Sequence, residues 1–299
     1  MALNFITLKQ NYNIFNKLSL LNIFDISKLI KNNVRLILML FILTIIPSFS
    51  SKHSKLNVLI LDNQIIVKIL GTEDQQILHG NGNMPEPDQI FVNDLDNNPL
   101  PGGKFANGLT SEPTIVKMVW NSAFTDCNQM FYGLANIIEI DFSSFDASLV
   151  TDMSDMFHGC AGLTSINFGN INTQSLTNIN FMFFECFNLV SLDLKNFDTS
   201  KVTQLFQTFY DCRSLISLDI STWVTSSVNS MYQTFFGCFK IKSLDLRNFD
   251  TREVTSMFQM FLNCFELEFL DLTSFNTEKV DDMFNMFYCC HKLKSLDLS

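Results

Sequence analysis

Between Cys186 and Cys212 the apolar residues follow two rhythms in succession. Leu192 and Leu194 alternate with Ser191 and Asp193, a period of two that predicts a short strand with one face turned inward. Past a turn around Phe197, apolar residues fall at Val202, Leu205, Phe209 and Cys212, in steps of three, four and three. That spacing puts one apolar stripe along a helix. Asp198-Thr199-Ser200 just ahead of it offers side-chain oxygens for the first free amides. The predicted unit is therefore a strand, a turn and a helix.

The unit recurs. Phe131, Phe157, Phe183, Phe209, Phe235, Phe261 and Phe287 stand 26 residues apart, as do Cys160, Cys186, Cys212, Cys238, Cys264 and Cys290. One such unit cannot bury its apolar side alone, whereas stacked units share a continuous core. The predicted fold class is an α/β repeat solenoid of short parallel strands and helices. Phe124, Cys127, Phe131 and Leu134 show the same spacing and place the first unit earlier than the cysteine column does. Cys127 falls in the column of Met153, Ile179, Leu205, Met231, Met257 and Met283, which reads as core.

Three segments are expected. Residues 124–299 hold about seven repeats, the last incomplete: Ser299 aligns with Lys195 and Ser221 at a strand edge. Further repeats, a polar cap and a C-terminal anchor are expected to follow, because a bare terminal repeat exposes its core. Residues 52–123 read as a β-rich capping module. Leu56–Leu61 and Gln64–Leu70 flank Asp62-Asn63 as a hairpin, Gly80–Gly103 reads as loop, and Thr114–Trp120 reads as a strand entering the first unit. Residues 1–51 read as a signal peptide or signal-anchor with a long leading region. Lys31 and Arg35 precede the apolar run Leu36–Ile46, Pro47 breaks it, and Ser48 and Ser50 suit a peptidase. That run is too short for a helix spanning a bilayer, which takes roughly 20 residues. The expected location is secreted or cell-surface.

The segments MFHGCAGLTSINF, SLDLKNFDTSKVT and SLDLRNFDTREVTSMFQMF resemble the 26-residue repeats of the BspA-like leucine-rich-repeat surface proteins, also seen in mycoplasma-type lipoproteins. The resemblance covers residues 124–299. It implies a leucine-rich-repeat-like solenoid on a cell surface, in a family associated with adhesion. No cysteine lies near Pro47–Lys52, so the lipid attachment site of the lipoprotein members is missing.

Charge narrows the function. The net charge of −10 leaves no basic face for nucleic acid. The cysteine column fits buried thiols better than zinc, which wants ligands two to four residues apart; disulfides between turns are a lesser alternative. The Phe column could be a stacking platform but reads as core. Cys289 is different, since its column otherwise holds Gly133, Gly159, Glu185, Asp211, Gly237 and Asn263 and should face solvent. It is a candidate labile thiol, although Cys289-Cys290-His291 cannot converge on one metal.

Asp141, Asp193, Asp219, Asp245, Asp271 and Asp297 form an outward column, broken by Asn167, with Lys195 and Arg247 two residues on. Either this acidic stripe contacts a cationic partner, or Asp is simply the template's polar residue. Calcium would need six to eight oxygens. Only His53, His79, His158 and His291 are present, none in a nucleophile or zinc motif. The expected protein is not an enzyme and carries no cofactor. It binds a protein or cell-surface ligand through the strand face, with Asp193, Asp219, Asp245, Asp271, Lys195 and Arg247 as contacts. A structural spacer or a receptor ectodomain is the alternative. Membrane contact is expected only through the N-terminal segment or a C-terminal anchor.

Overall fold

Alternating apolar residues at Ile65, Val67 and Ile69, all fully buried, make β1 (Asn63–Ile69) the strand on which the solenoid is seeded. The computed structural model describes residues 63–80, 85–93, 100–109 and 113–297. The targeting segment and the hairpin strand Leu56–Leu61 read from the sequence lie outside these residues. β1 pairs antiparallel with β6 (Thr114–Trp120) on one side and with β7 (Ile137–Asp141) on the other. β3 (Gln89–Val92) and the two-residue β4 (Leu100–Pro101) extend the sheet beyond β6. Both lie in Gly80–Gly103, expected to be loop. The apolar Ile90-Phe91-Val92 triplet is enough to pair in that polar, proline-rich setting. β2 (Glu73–Gln76) and β5 (Phe105–Leu109) form a separate antiparallel pair.

From β7 onward the chain winds in coils, each giving one short parallel strand: β8 (Ser165–Asn167), β9 (Ser191–Asp193), β10 (Ser217–Asp219), β11 (Ser243–Leu244), β12 (Phe269–Asp271) and β13 (Ser295–Asp297). The register is residue to equivalent residue, as in Leu218 opposite Leu192 and Asp219 opposite Asp193. The six-stranded sheet β4-β3-β6-β1-β7-β8 carries the N-terminal module directly into the first coils.

The predicted helices do not form: every element among the described residues is a strand. This corrects the α/β, leucine-rich-repeat-like class. Where Leu205–Cys212 was expected to be helical, alternate amides leave the coil. Leu205, Gln207, Phe209 and Asp211 donate N–H groups to the carbonyls of Ser230, Tyr232, Thr234 and Phe236 at 2.9, 3.0, 3.0 and 2.7 Å. Amides between them close local turns, such as Tyr210 to Gln207 at 3.2 Å. A helix needs every amide for its own carbonyl four residues back. Two columns hold positive φ, Gln207 and Asp211 at 52° and 56° in this coil, and a left-handed residue ends a helix.

Pitch is the deeper reason. Consecutive rings of the Phe column stack with centroids 5.4–5.7 Å apart. Packed helices need roughly 8–10 Å, so the turn side has no room for them. All but one of these phenylalanines are fully buried, and Phe287 is partly so. Trp223 replaces Phe in the neighbouring column of Phe197 and Phe249, and its indole donates to the Leu194 carbonyl at 3.2 Å.

The Thr-based segment read as a helix cap has another task. Thr199 Oγ1 donates to the Val224 carbonyl and accepts from the Val224 amide, both at 2.9 Å. Thr225 and Thr251 repeat the exchange with Asp250 and Asn276. Each buried hydroxyl thus joins two coils. Lysines also join coils on the surface: Lys279 to Glu253 and Lys292 to Glu266, each at 2.6 Å, and Lys294 to Glu268.

Two outcomes follow from this geometry. Far-UV circular dichroism of the purified chain should show a β-type spectrum; a strong paired minimum at the helical wavelengths would contradict it. Thr208 Oγ1 is fully buried without a hydrogen-bond partner, so Thr208→Val should raise unfolding stability by about 1 kcal/mol. Denaturant titration reads that change, and a loss of stability would show the hydroxyl is satisfied.

Candidate functional site

Each strand from β7 to β12 leads into an Asx turn. The carboxylate of Asp141, Asp193, Asp219, Asp245 and Asp271 accepts the amide two residues on, at 2.7–3.3 Å. Asn167 does the same for Gly169 at 3.0 Å. The break in the acidic column is therefore conservative in geometry, since Asn supplies the same acceptor without the charge.

Side chains two residues on bond the same carboxylates, Lys195 and Arg247 through the second oxygen and Ser221 and Thr273 through the oxygen that holds the turn. Lys195 Nζ reaches Asp193 Oδ2 at 2.6 Å, and Arg247 grips Asp245 with two bonds of 2.9 and 2.7 Å. Ser221 and Thr273 hydroxyls donate to Asp219 and Asp271 at 2.7 Å. The hydrogen bond from Lys195 holds the Asp193 carboxyl below its ordinary range, and that from Arg247 does so for Asp245. Lys195 also feels Asp219, and Arg247 feels Asp271, across the coil boundary. The two cations therefore interrupt a ladder whose like charges recur every strand spacing, about 4.8 Å.

The six residues expected as contacts thus share one strand face. Side chains of Asp193 and Lys195 remain 55% and 51% exposed, which leaves them accessible while bonded. A shallow depression of about 280 Å³ lies where Asn167 interrupts the column, lined in part by Gly169, Asn170, Asp193, Lys195 and Asn196. Among the described residues no group of three or more His, Cys, Asp or Glu could hold a metal ion.

The cysteine column sits on the inside. Cys160, Cys186, Cys212, Cys238 and Cys264 are fully buried and Cys290 partly so, and all eight cysteines are free. Each column thiol donates to the carbonyl of the Phe 29 residues before it, at 3.0–3.3 Å. The thiols are engaged with backbone, and none is paired in a disulfide. Burial pushes the Cys160 thiol up to about 12 and Cys290 to about 11. Cys289 sits on the left-handed corner at φ 63° and is half-exposed.

A second surface escaped the sequence reading. Phe206, Tyr232, Phe258 and Phe284 form one row of stacked rings, with centroids 4.7–5.8 Å apart. His158, Phe184, Tyr210 and Phe236 form another, at 4.4–4.5 Å. Most of these side chains are half-buried. Their signal was present at the same 26-residue step, but Asn128, Ser154 and Asn180 fill the first column early in the stack and dilute it. His158 belongs to this row, with Nδ1 2.8 Å from Asp155 Oδ1.

Thiol chemistry separates inside from outside. Native alkylation near pH 8 should label Cys289 and leave Cys127, Cys160, Cys186, Cys212, Cys238 and Cys264 unlabelled until denaturant is added. Peptide mass mapping reads this, and fast labelling of the column would contradict the packing.

A family model described as Mycoplasma protein of unknown function, DUF285, matches the chain twice, over residues 112–215 and 184–298. The two matches together span more than half of the chain, from the edge of β6 through β13. No curated protein and no solved structure matches it. The chain therefore belongs to this repeat-containing family, Mycoplasma protein of unknown function, DUF285.

Proposed function

We propose that the chain is a non-enzymatic recognition module of the cell exterior, which adheres to a protein or cell-surface ligand through its strand face. The carrying observation is the exposed, in-register Asp ladder with Lys195 and Arg247 set into it. Such a ladder offers a rigid line of alternating charge whose side chains are already ordered. Little rotamer freedom remains to be lost on binding. Recognition spread over several turns is how solenoids use their long surfaces. The resemblance to BspA-like surface proteins and the N-terminal apolar run support display outside the cell. The titratable groups on this face recur coil after coil along the stack instead of converging on a cleft, which supports binding over catalysis.

The Asx geometry supplies a clean test. Asp193→Asn, Asp219→Asn, Asp245→Asn and Asp271→Asn together keep the turn acceptor, as Asn167 does, and remove the charge. Labelled whole chain should bind cultured animal cells saturably, and the quadruple variant should bind at least tenfold more weakly with a similar melting temperature. Equal binding by the variant would remove the strand face as the contact surface. Absence of saturable binding would leave the spacer reading in its place.

A further inference from the structure

Phe269 stands in a column that holds serine in the neighbouring coils, at Ser165, Ser191, Ser217, Ser243 and Ser295. Its ring is 53% exposed on the strand face, and its in-register neighbours on β11 and β13 are Ser243 and Ser295. It therefore stands above a row of small side chains, with the Lys294 ammonium 5.4 Å from its centroid. The charges around it alternate by coil. Along β11, Lys240, Lys242 and Arg247 outnumber Asp245, whereas the matching stretch of β12 carries Glu266, Glu268 and Asp271 without a cation. Along β10 the only charge in that stretch is Asp219, and along β13 Lys292 and Lys294 outnumber Asp297. From β10 to β13 the net sign thus runs negative, positive, negative, positive.

Within one chain this alternation is satisfied only downstream. Lys292 and Lys294 bridge to Glu266 and Glu268, but the exposed Lys240 and Lys242 have neutral Ser214 and Ile216 on their upstream side. One operation turns the whole pattern into its own complement. A two-fold axis perpendicular to the face, midway between β11 and β12, lays β12 on β11 of a second copy and β13 on its β10. Opposite net charges then meet at every level. The same axis reverses strand direction, so Lys242, just ahead of the Phe269 column, faces Asp271, just behind it in the second copy. Phe269 falls over Ser243 of the second copy, where the small side chain leaves room. The two rings then lie side by side, one strand spacing or about 4.8 Å apart. A two-fold axis along the solenoid would instead set each coil on its own equivalent, like charge on like, which costs stability. An isologous contact with an aromatic centre and a charged rim is the usual anatomy of a symmetric interface.

We propose that this face binds a second copy of the chain, antiparallel about a two-fold axis between β11 and β12, with the two Phe269 rings at its centre. The proposal rests on the strand face being the recognition surface and names one partner for it. The contact spans four coils, about 14 Å along the axis. That is well short of the roughly 800 Å² per partner of a standard interface. It is therefore a weak, reversible contact, and it gains strength where copies are arrayed on facing surfaces and many such contacts act together.

Sedimentation velocity on the whole chain, up to about 1 mM, should show a reversible monomer–dimer equilibrium with Kd on the order of 100 μM. Raising the salt from about 0.05 to about 0.5 M should weaken it severalfold. Phe269→Ser restores the residue usual in this column and should weaken dimerisation at least tenfold. Lys242→Glu and Asp271→Lys should each be monomeric alone, because like charges then meet twice across the axis. An equimolar mixture of these two variants should recover the dimer, since opposite charges face again at both contacts. A chain that stays monomeric throughout overturns the proposal. So does a dimer undiminished by Phe269→Ser, or a mixture without recovery when circular dichroism shows both charge variants folded. A monomeric chain that still binds cells through the strand face would overturn the self-contact alone and leave that face as a recognition surface. A dimer that behaves as stated without binding cells would support the self-contact and remove the cell ligand.

Discussion

Everything distinctive in this protein rests on one geometric demand, that each coil hydrogen-bond to the next on its turn side as well as along its strands. Alternate amides from Leu205 to Asp211 cross to the following coil. Those bonds hold the turn side near the spacing of a β-ladder. Once that pitch is set, equivalent side chains stack on themselves. The Phe column becomes a parallel pile, the Gln207 side-chain amide donates a hydrogen bond to that of Gln233 along the axis, and Thr199 and Thr225 clasp the coil that follows. The same enforced self-contact makes like charges meet. Lys195 and Arg247 ease this on the strand face, and alternation of Lys with Glu at positions 253 and 279, or 266 and 292, eases it elsewhere.

The pitch also explains why polar columns are bonded without being hidden. An Asp after five of the strands satisfies an amide that the turn would otherwise leave open, at a net value of about 1 kcal/mol per bond. Its carboxylate remains exposed, even at Asp193 and Asp245, where Lys195 and Arg247 bond the other oxygen. A residue can therefore serve the template and remain available to a partner, and Asn167 shows that the two roles separate chemically. Burial divides the cysteines in a comparable way. Column thiols bond to a Phe carbonyl inside, whereas Cys289 occupies a left-handed corner next to solvent.

The N-terminal module solves the opposite problem, that of starting a stack. β1 accepts β6 on one edge and β7 on the other, so an antiparallel sheet turns into a parallel ladder through a single shared strand. Trp120 and Phe124, with ring centroids 5.3 Å apart, close the core at this junction. The first coil is thereby covered by a sheet instead of by another repeat.

Much of this was open to reading in the sequence. The 26-residue step, the inward Phe and Cys columns, the outward Asp column and β6 each follow from periodicity and residue type. Helix against turn could not be settled by periodicity, because steps of three, four and three describe the inward positions of either. The deciding signal lay in a column read only for exposure. Gly133, Gly159, Asp211, Gly237 and Asn263 are residues suited to positive φ, and all of them adopt it. The stacked aromatic rows were hidden for a different reason. A repeat shows which residues recur, but whether their rings meet face to face depends on how far apart the coils stand. That distance comes from hydrogen bonds between residues 25 apart, which only the folded chain brings together.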